Sequence, residues 1–97
     1  MLDLAPRHLA MVQEILRRRL PGTRVWAFGS RTKGTAERFS DLDLAVEADA
    51  PTSMRTLAML DEDFVGSDLP MKVDVIDLHM VSPAFRTRVE QERMELR

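Results

Sequence analysis

Val25-Trp26-Ala27-Phe28-Gly29-Ser30-Arg31 and, beyond a spacer holding Gly34, Ser40-Asp41-Leu42-Asp43-Leu44-Ala45-Val46 set the architecture of this chain. Val25 to Phe28 is apolar at both parities, as expected for a strand covered on two faces. Asp41 to Glu47 alternates instead. Leu42, Leu44 and Val46 point one way, while Asp41, Asp43, Ala45 and Glu47 point the other. One strand therefore ends in a glycine and a hydroxyl. The next carries two carboxylates on a single face.

The flanking sequence supplies the remaining elements. Pro6 to Leu20 reads as a helix, with Leu9, Val12, Ile15, Leu16 and Leu20 as its apolar stripe. Asp3 is positioned to cap it, Pro6 suits a first turn, and Pro21-Gly22 ends it. Thr52 or Ser53 caps a helix carrying Met54, Leu57, Ala58, Leu60 and Phe64. Lys72 to Leu78 reads as a third strand. Ser82-Pro83 starts a last helix that runs towards the C-terminus through Phe85 and Val89. The pattern predicts an α/β fold, a small mixed β-sheet with helices packed on it, in a single domain over residues 1–97.

Composition narrows the function classes. With 14 basic and 16 acidic residues the net charge is −2, which gives no reason to expect binding to nucleic acid or a membrane surface. There is no cysteine, so disulfides and thiolate metal sites are excluded, and a cytoplasmic setting is expected. The N-terminus carries Asp3 and lacks the long apolar core of a signal peptide.

Gly29 after a strand lets a phosphate approach the backbone, and Ser30 adds a hydroxyl donor. Asp41 and Asp43 share a face with Cα atoms roughly 6.5 Å apart, from a rise of about 3.3 Å per residue. Two carboxylates so placed repel unless a cation or donors compensate them, and oxygen ligands of this kind suit magnesium. A third carboxylate is expected from the neighbouring strand. Asp74 and Asp77 are both available, and their odd separation puts them on opposite faces, so spacing does not choose between them.

Other polar residues have plainer readings. Arg31 and Lys33 are candidates for phosphate or acceptor contacts, or else are loop cations. Arg17-Arg18-Arg19 is a solvated helix face, and Arg86, Arg88, Glu90 and Glu92 form i,i+4 surface pairs. His8 and His79 lack a second histidine at ligand spacing. Trp26, Phe28, Phe39 and Phe85 read as core.

Gly29-Ser30-Arg31, Gly34 and Ser40-Asp41-Leu42-Asp43-Leu44 resemble the signature of minimal nucleotidyltransferases of the polymerase-β-like superfamily, and the match extends to Val73-Asp74-Val75-Ile76-Asp77. The resemblance implies that Asp74 is the third metal ligand and catalytic carboxylate beside Asp41 and Asp43, with Asp77 in reserve. It further implies that Gly29, Ser30 and Arg31 bind nucleotide, that two Mg2+ ions serve the site, and that ATP is the substrate. Members of this family pair with small helical HEPN-domain toxins and neutralise them, in some cases by adenylylating a tyrosine. The implied activity is thus AMP transfer to a toxin partner. The alternatives are an antitoxin that acts by binding alone, or transfer to a small molecule.

Overall fold

The computed structural model describes residues 2–96. Its elements run α1 (Pro6–Arg19), β1 (Arg24–Phe28), α2 (Ser30–Lys33), β2 (Leu42–Glu47), α3 (Met54–Val65), β3 (Val73–Asp77), a 3-10 turn (Leu78–Met80), α4 (Pro83–Glu92) and β4 (Met94–Glu95). The strands form one sheet in the order β3-β2-β1-β4. β2 is antiparallel to β1 and parallel to β3, and β4 is antiparallel to β1. This is the mixed sheet that the alternation of hydrophobic runs predicts.

Strand parity sorts the sheet into two layers. Val25, Ala27, Leu42, Leu44, Val46 and Val73 face α1 and α3, where they meet Val12, Ile15, Leu16, Leu60 and Phe64. Phe28 and Ala45 face the other way, with Trp26 and Ile76 beside them, against Val89 and Phe85 of α4. The ring of Phe28 meets that of Phe85 edge-on, with centroids 5.9 Å apart. Asp43 and Glu47 share Ala45's parity, so they lie on the α4 side of the sheet.

The helix starts follow from local chemistry, with one exception. Ser53 accepts the Thr56 N–H at 3.1 Å and Ser82 accepts the Phe85 N–H at 3.2 Å, each satisfying a first-turn donor. Asp3 does not cap α1. Ala5 holds the cap position without a side-chain bond, and Pro6 has no N–H to satisfy. Asp3 is instead tied to Arg31: its N–H donates to the Arg31 carbonyl at 2.7 Å, and its carbonyl accepts from the Arg31 guanidinium at 2.9 Å. The last helix also stops sooner than its sequence implies, at Glu92, and the two residues of β4 follow. Two residues show no periodicity, and only pairing with β1 makes them a strand.

Leu44 is fully buried at the centre of the larger layer. Leu44→Ala should cost about 2–5 kcal/mol through lost burial and the cavity left behind. Urea unfolding of the two proteins checks this as a lower midpoint at an unchanged slope.

Candidate functional site

Backbone register brings the acidic residues together. Asp43 pairs with Phe28 of β1 on one side and with Asp74 of β3 on the other. Neighbouring strands lie about 4.8 Å apart, so Asp43 and Asp74 stand side by side on the α4 face. Asp41 immediately precedes β2 at the same parity and is exposed.

Gly29 completes this corner. Its φ of 81° lies in the region that only glycine enters without strain. A Cβ added there would also overlap the Asp43 carboxylate. Both backbone conformation and close approach therefore require glycine.

The electrostatics of the corner are unbalanced. Burial raises the Asp43 pKa above the ordinary carboxylate value, and the charges of Asp74 and then Asp41 raise it further. Arg88 opposes this, and Glu92 adds to it. Among the described residues, no group of three histidines or acids is gathered closely enough to form a ready-made metal cage. Asp43 thus feels the charge of both neighbours, while the three aspartates do not close on a common point.

The two candidates on β3 separate cleanly. The Asp74 side chain is 47% exposed and lies 3.4 Å from Lys72 Nζ. Asp77 is 3% exposed and opposite Val46, on the α1 and α3 side of the sheet. Its carboxylate accepts the Thr52 N–H at 2.6 Å and the His79 N–H at 2.9 Å. Asp77 therefore staples the approach to α3 onto the turn after β3, and only Asp74 stands beside Asp43.

Arg31 departs from the expectation that its guanidinium faces nucleotide. The residue is 5% exposed. It donates to the Ser40 carbonyl at 3.0 and 2.8 Å, to the Arg38 carbonyl at 3.1 Å and to the Asp3 carbonyl at 2.9 Å. A guanidinium has donors only, and these four bonds use most of them. Arg31 acts as a brace for the loop 35–40 that delivers Asp41, rather than as a ligand-facing cation. Ser30, at the first turn of α2, is partly exposed beside Gly29.

Helix α4 contributes residues that sequence spacing read as surface pairs. Arg86 reaches Glu47 at 3.2 Å and the Leu78 carbonyl at 3.2 Å, which ties α4 to the sheet. Glu92 accepts the Gly29 N–H at 3.1 Å and lies 3.4 Å from both Lys33 and Arg88. Burial acts to raise its pKa. The Gly29 N–H bond, the Lys33 charge and the hydrogen bonds from Arg88 and Lys33 outweigh burial and hold it below the usual carboxylate range. The i,i+4 spacing of Arg88 and Glu92 was visible in sequence. Their position over Gly29 depends on how α4 crosses the sheet, which leaves no local signal.

Known proteins resemble this chain in sequence and in fold. A family model described as a nucleotidyltransferase domain matches residues 9–96. The probable protein adenylyltransferase MntA of Haemophilus influenzae is 45% identical over 85 residues, covering 88% of this chain and 75% of that protein. A chain of a toxin–antitoxin crystal structure solved with AMP-PNP superposes with a TM-score of 0.77 at 28% identity, covering 92% of this chain and 72% of that one. A mutant MntA–HpeT toxin–antitoxin structure gives a TM-score of 0.76 at 26% identity, with the same coverage of both chains.

Two outcomes follow for stability. The folded state holds the Asp43 proton more tightly than the unfolded chain does, so stability falls as pH rises through that raised pKa. Asp43→Asn should therefore raise the thermal midpoint at neutral pH. The gain should vanish below the ordinary carboxylate range, as thermal melts across a pH series will show. Asp77→Ala leaves the Thr52 and His79 N–H groups without their acceptor, at about 1–3 kcal/mol for each orphaned donor. Denaturant titration measures that loss directly.

Proposed function

The chain belongs to the nucleotidyltransferase domain family, and on that premise we propose that it transfers AMP from ATP to a tyrosine hydroxyl of a small helical HEPN-class toxin, so acting as its antitoxin. The observation that carries this reading is the placement of Asp43 between Asp41 and Asp74, against the turn at Gly29. Support for the donor and the partner comes from the similar proteins. One is described as a protein adenylyltransferase, another was solved in a toxin–antitoxin assembly with AMP-PNP. The reading implies a cytoplasmic protein, and among the described residues no helix is long and apolar enough to cross a membrane.

The donor set fits magnesium. All three candidate ligands are carboxylates, and Asp43 is held half-buried beside two like charges, a cost that a divalent cation relieves. Asp41, Asp43 and Asp74 would hold the ions. Bound there, the ions would neutralise phosphate charge and stabilise attacking and leaving oxygens together.

The residues of the chain then have distinct tasks. Gly29 lets the phosphates approach the backbone, and the Ser30 hydroxyl donates to them. The tyrosine oxygen attacks the α-phosphorus in line, forming a new O–P bond as the bond to the β-phosphate oxygen breaks and pyrophosphate leaves. Asp74, half-exposed beside Asp43, accepts the tyrosine proton and passes it to water. Arg31 holds the loop so that these groups stay in place, and positioning contributes much of the rate in phosphoryl chemistry.

Transfer from ATP labelled at the α-phosphate to the cognate toxin tests the reading. Label should appear on a toxin tyrosine and fall by at least about 100-fold in Asp41→Ala and Asp43→Ala, the scale of loss seen when a single electrostatic contact to the transition state is removed. An unlabelled toxin, or label undiminished in both variants, would overturn it. Neutralisation retained by an unlabelling Asp43→Ala variant would instead identify an antitoxin that works by binding.

A further inference from the structure

Glu92 sits where an anion would be expected to sit. Its Oε1 takes the Gly29 N–H at 3.1 Å, while its Oε2 lies 3.4 Å from Lys33 Nζ and 3.4 Å from Arg88 Nε. A backbone amide, an ammonium and a guanidinium thus converge on one carboxylate, and its side chain is only 15% exposed. Such a set of charge-assisted donors also binds phosphate oxygens.

The three donors hold a further carboxylate next to the acidic corner. Glu92 adds negative charge to a corner that already holds Asp41, Asp43 and Asp74. Helix α4 does not depend on it for attachment. Arg86 ties that helix to Glu47 and to the Leu78 carbonyl, and Val89 is fully buried against the sheet. Glu92 is the last residue of α4, so its side chain can swing outward without opening helical hydrogen bonds.

We propose that Lys33, Arg88 and the Gly29 N–H form the site for the terminal phosphates of the nucleotide, and that Glu92 is an internal anion that keeps this site assembled until a triphosphate displaces it. The inference rests on the nucleotidyltransferase reading and adds to it the residues that receive the leaving pyrophosphate portion. Lys33 and Arg88 have side chains 43% and 57% exposed, so both are accessible to an incoming ligand. Holding them in place beforehand reduces the side-chain entropy lost on binding. The competing carboxylate lowers affinity for any ligand with too few anionic oxygens to replace it.

Calorimetric titration of the whole chain with AMP-PNP in magnesium buffer, and separately with inorganic tripolyphosphate, provides the test. Glu92→Gln keeps an oxygen to accept the Gly29 N–H but removes the competing charge. It should bind both ligands about 5- to 10-fold more tightly, where tenfold corresponds to about 1.4 kcal/mol. Glu92→Ala, which removes the side-chain anion altogether, should tighten both as well, whereas mere loosening of the turn would weaken them. Lys33→Met combined with Arg88→Met should weaken both by about tenfold or more, from the loss of two charge-assisted contacts. Wild-type binding of AMP-PNP that is unchanged or weakened in both Glu92 variants would overturn this assignment while leaving the transferase reading intact. Binding undiminished in the Lys33 and Arg88 double variant would do the same. Absence of AMP-PNP binding in every protein, the wild type included, would overturn both.

Discussion

Pairing of β2 with a neighbour on each side, in the register Phe28, Asp43, Asp74, is the constraint on which the site depends. Side chains alternate with a period of two along a strand, so this register does two things at once. It sends Leu42, Leu44 and Val46 into the layer under α1 and α3, and it lines Asp43 up with Asp74 beneath α4. A slip of one residue would drive the carboxylates into the larger apolar layer and turn the leucines towards α4. The hydrophobic effect that stabilises the larger core therefore also enforces the juxtaposition of the acids.

A second constraint acts on the loop before β2. Arg31 is nearly enclosed, and it meets backbone carbonyls of Asp3, Arg38 and Ser40 rather than a carboxylate. Burying a cation is costly unless its donors are satisfied, and here four bonds satisfy them. The same contacts join the N-terminal segment, the short helix α2 and the loop leading to Asp41. An arginine directly after the Gly29-Ser30 pair thus stabilises the site from behind, while Lys33, two residues on, remains accessible in front.

Asp43 and Asp77 occupy contrasting environments in the fold. Asp77 is the more buried, yet it accepts two backbone N–H groups and closes a turn. Asp43 is less buried, and its neighbours include Asp41 and Asp74, with Arg88 as a compensating charge. Such an arrangement is unfavourable to folding by itself, and local rules are most often broken at functional positions, which is why the proposed site centres on Asp43. Glu92 relieves the opposite imbalance across the corner, where Lys33, Arg88 and the Gly29 amide would otherwise face one another without an anion.

Local pattern carried a large part of this protein. The alternation over Asp41 to Glu47 separated the aliphatic face of β2 from the face that carries its acids, Thr52-Ser53 and Ser82-Pro83 marked two helix starts, and the Gly29-Ser30 and Asp41-Leu42-Asp43 spacing marked the corner. All of these are short-range effects, governed by strand period, capping geometry and backbone conformation. Three matters lay beyond the reach of local pattern. Asp74 rather than Asp77 stands beside Asp43 because parallel pairing with β2 sets which face each occupies. Arg31 turns inward because carbonyls from two separate segments gather around it. Glu92 lies over Gly29 because α4 crosses the sheet at that corner, a contact spanning 63 residues that no local period can encode.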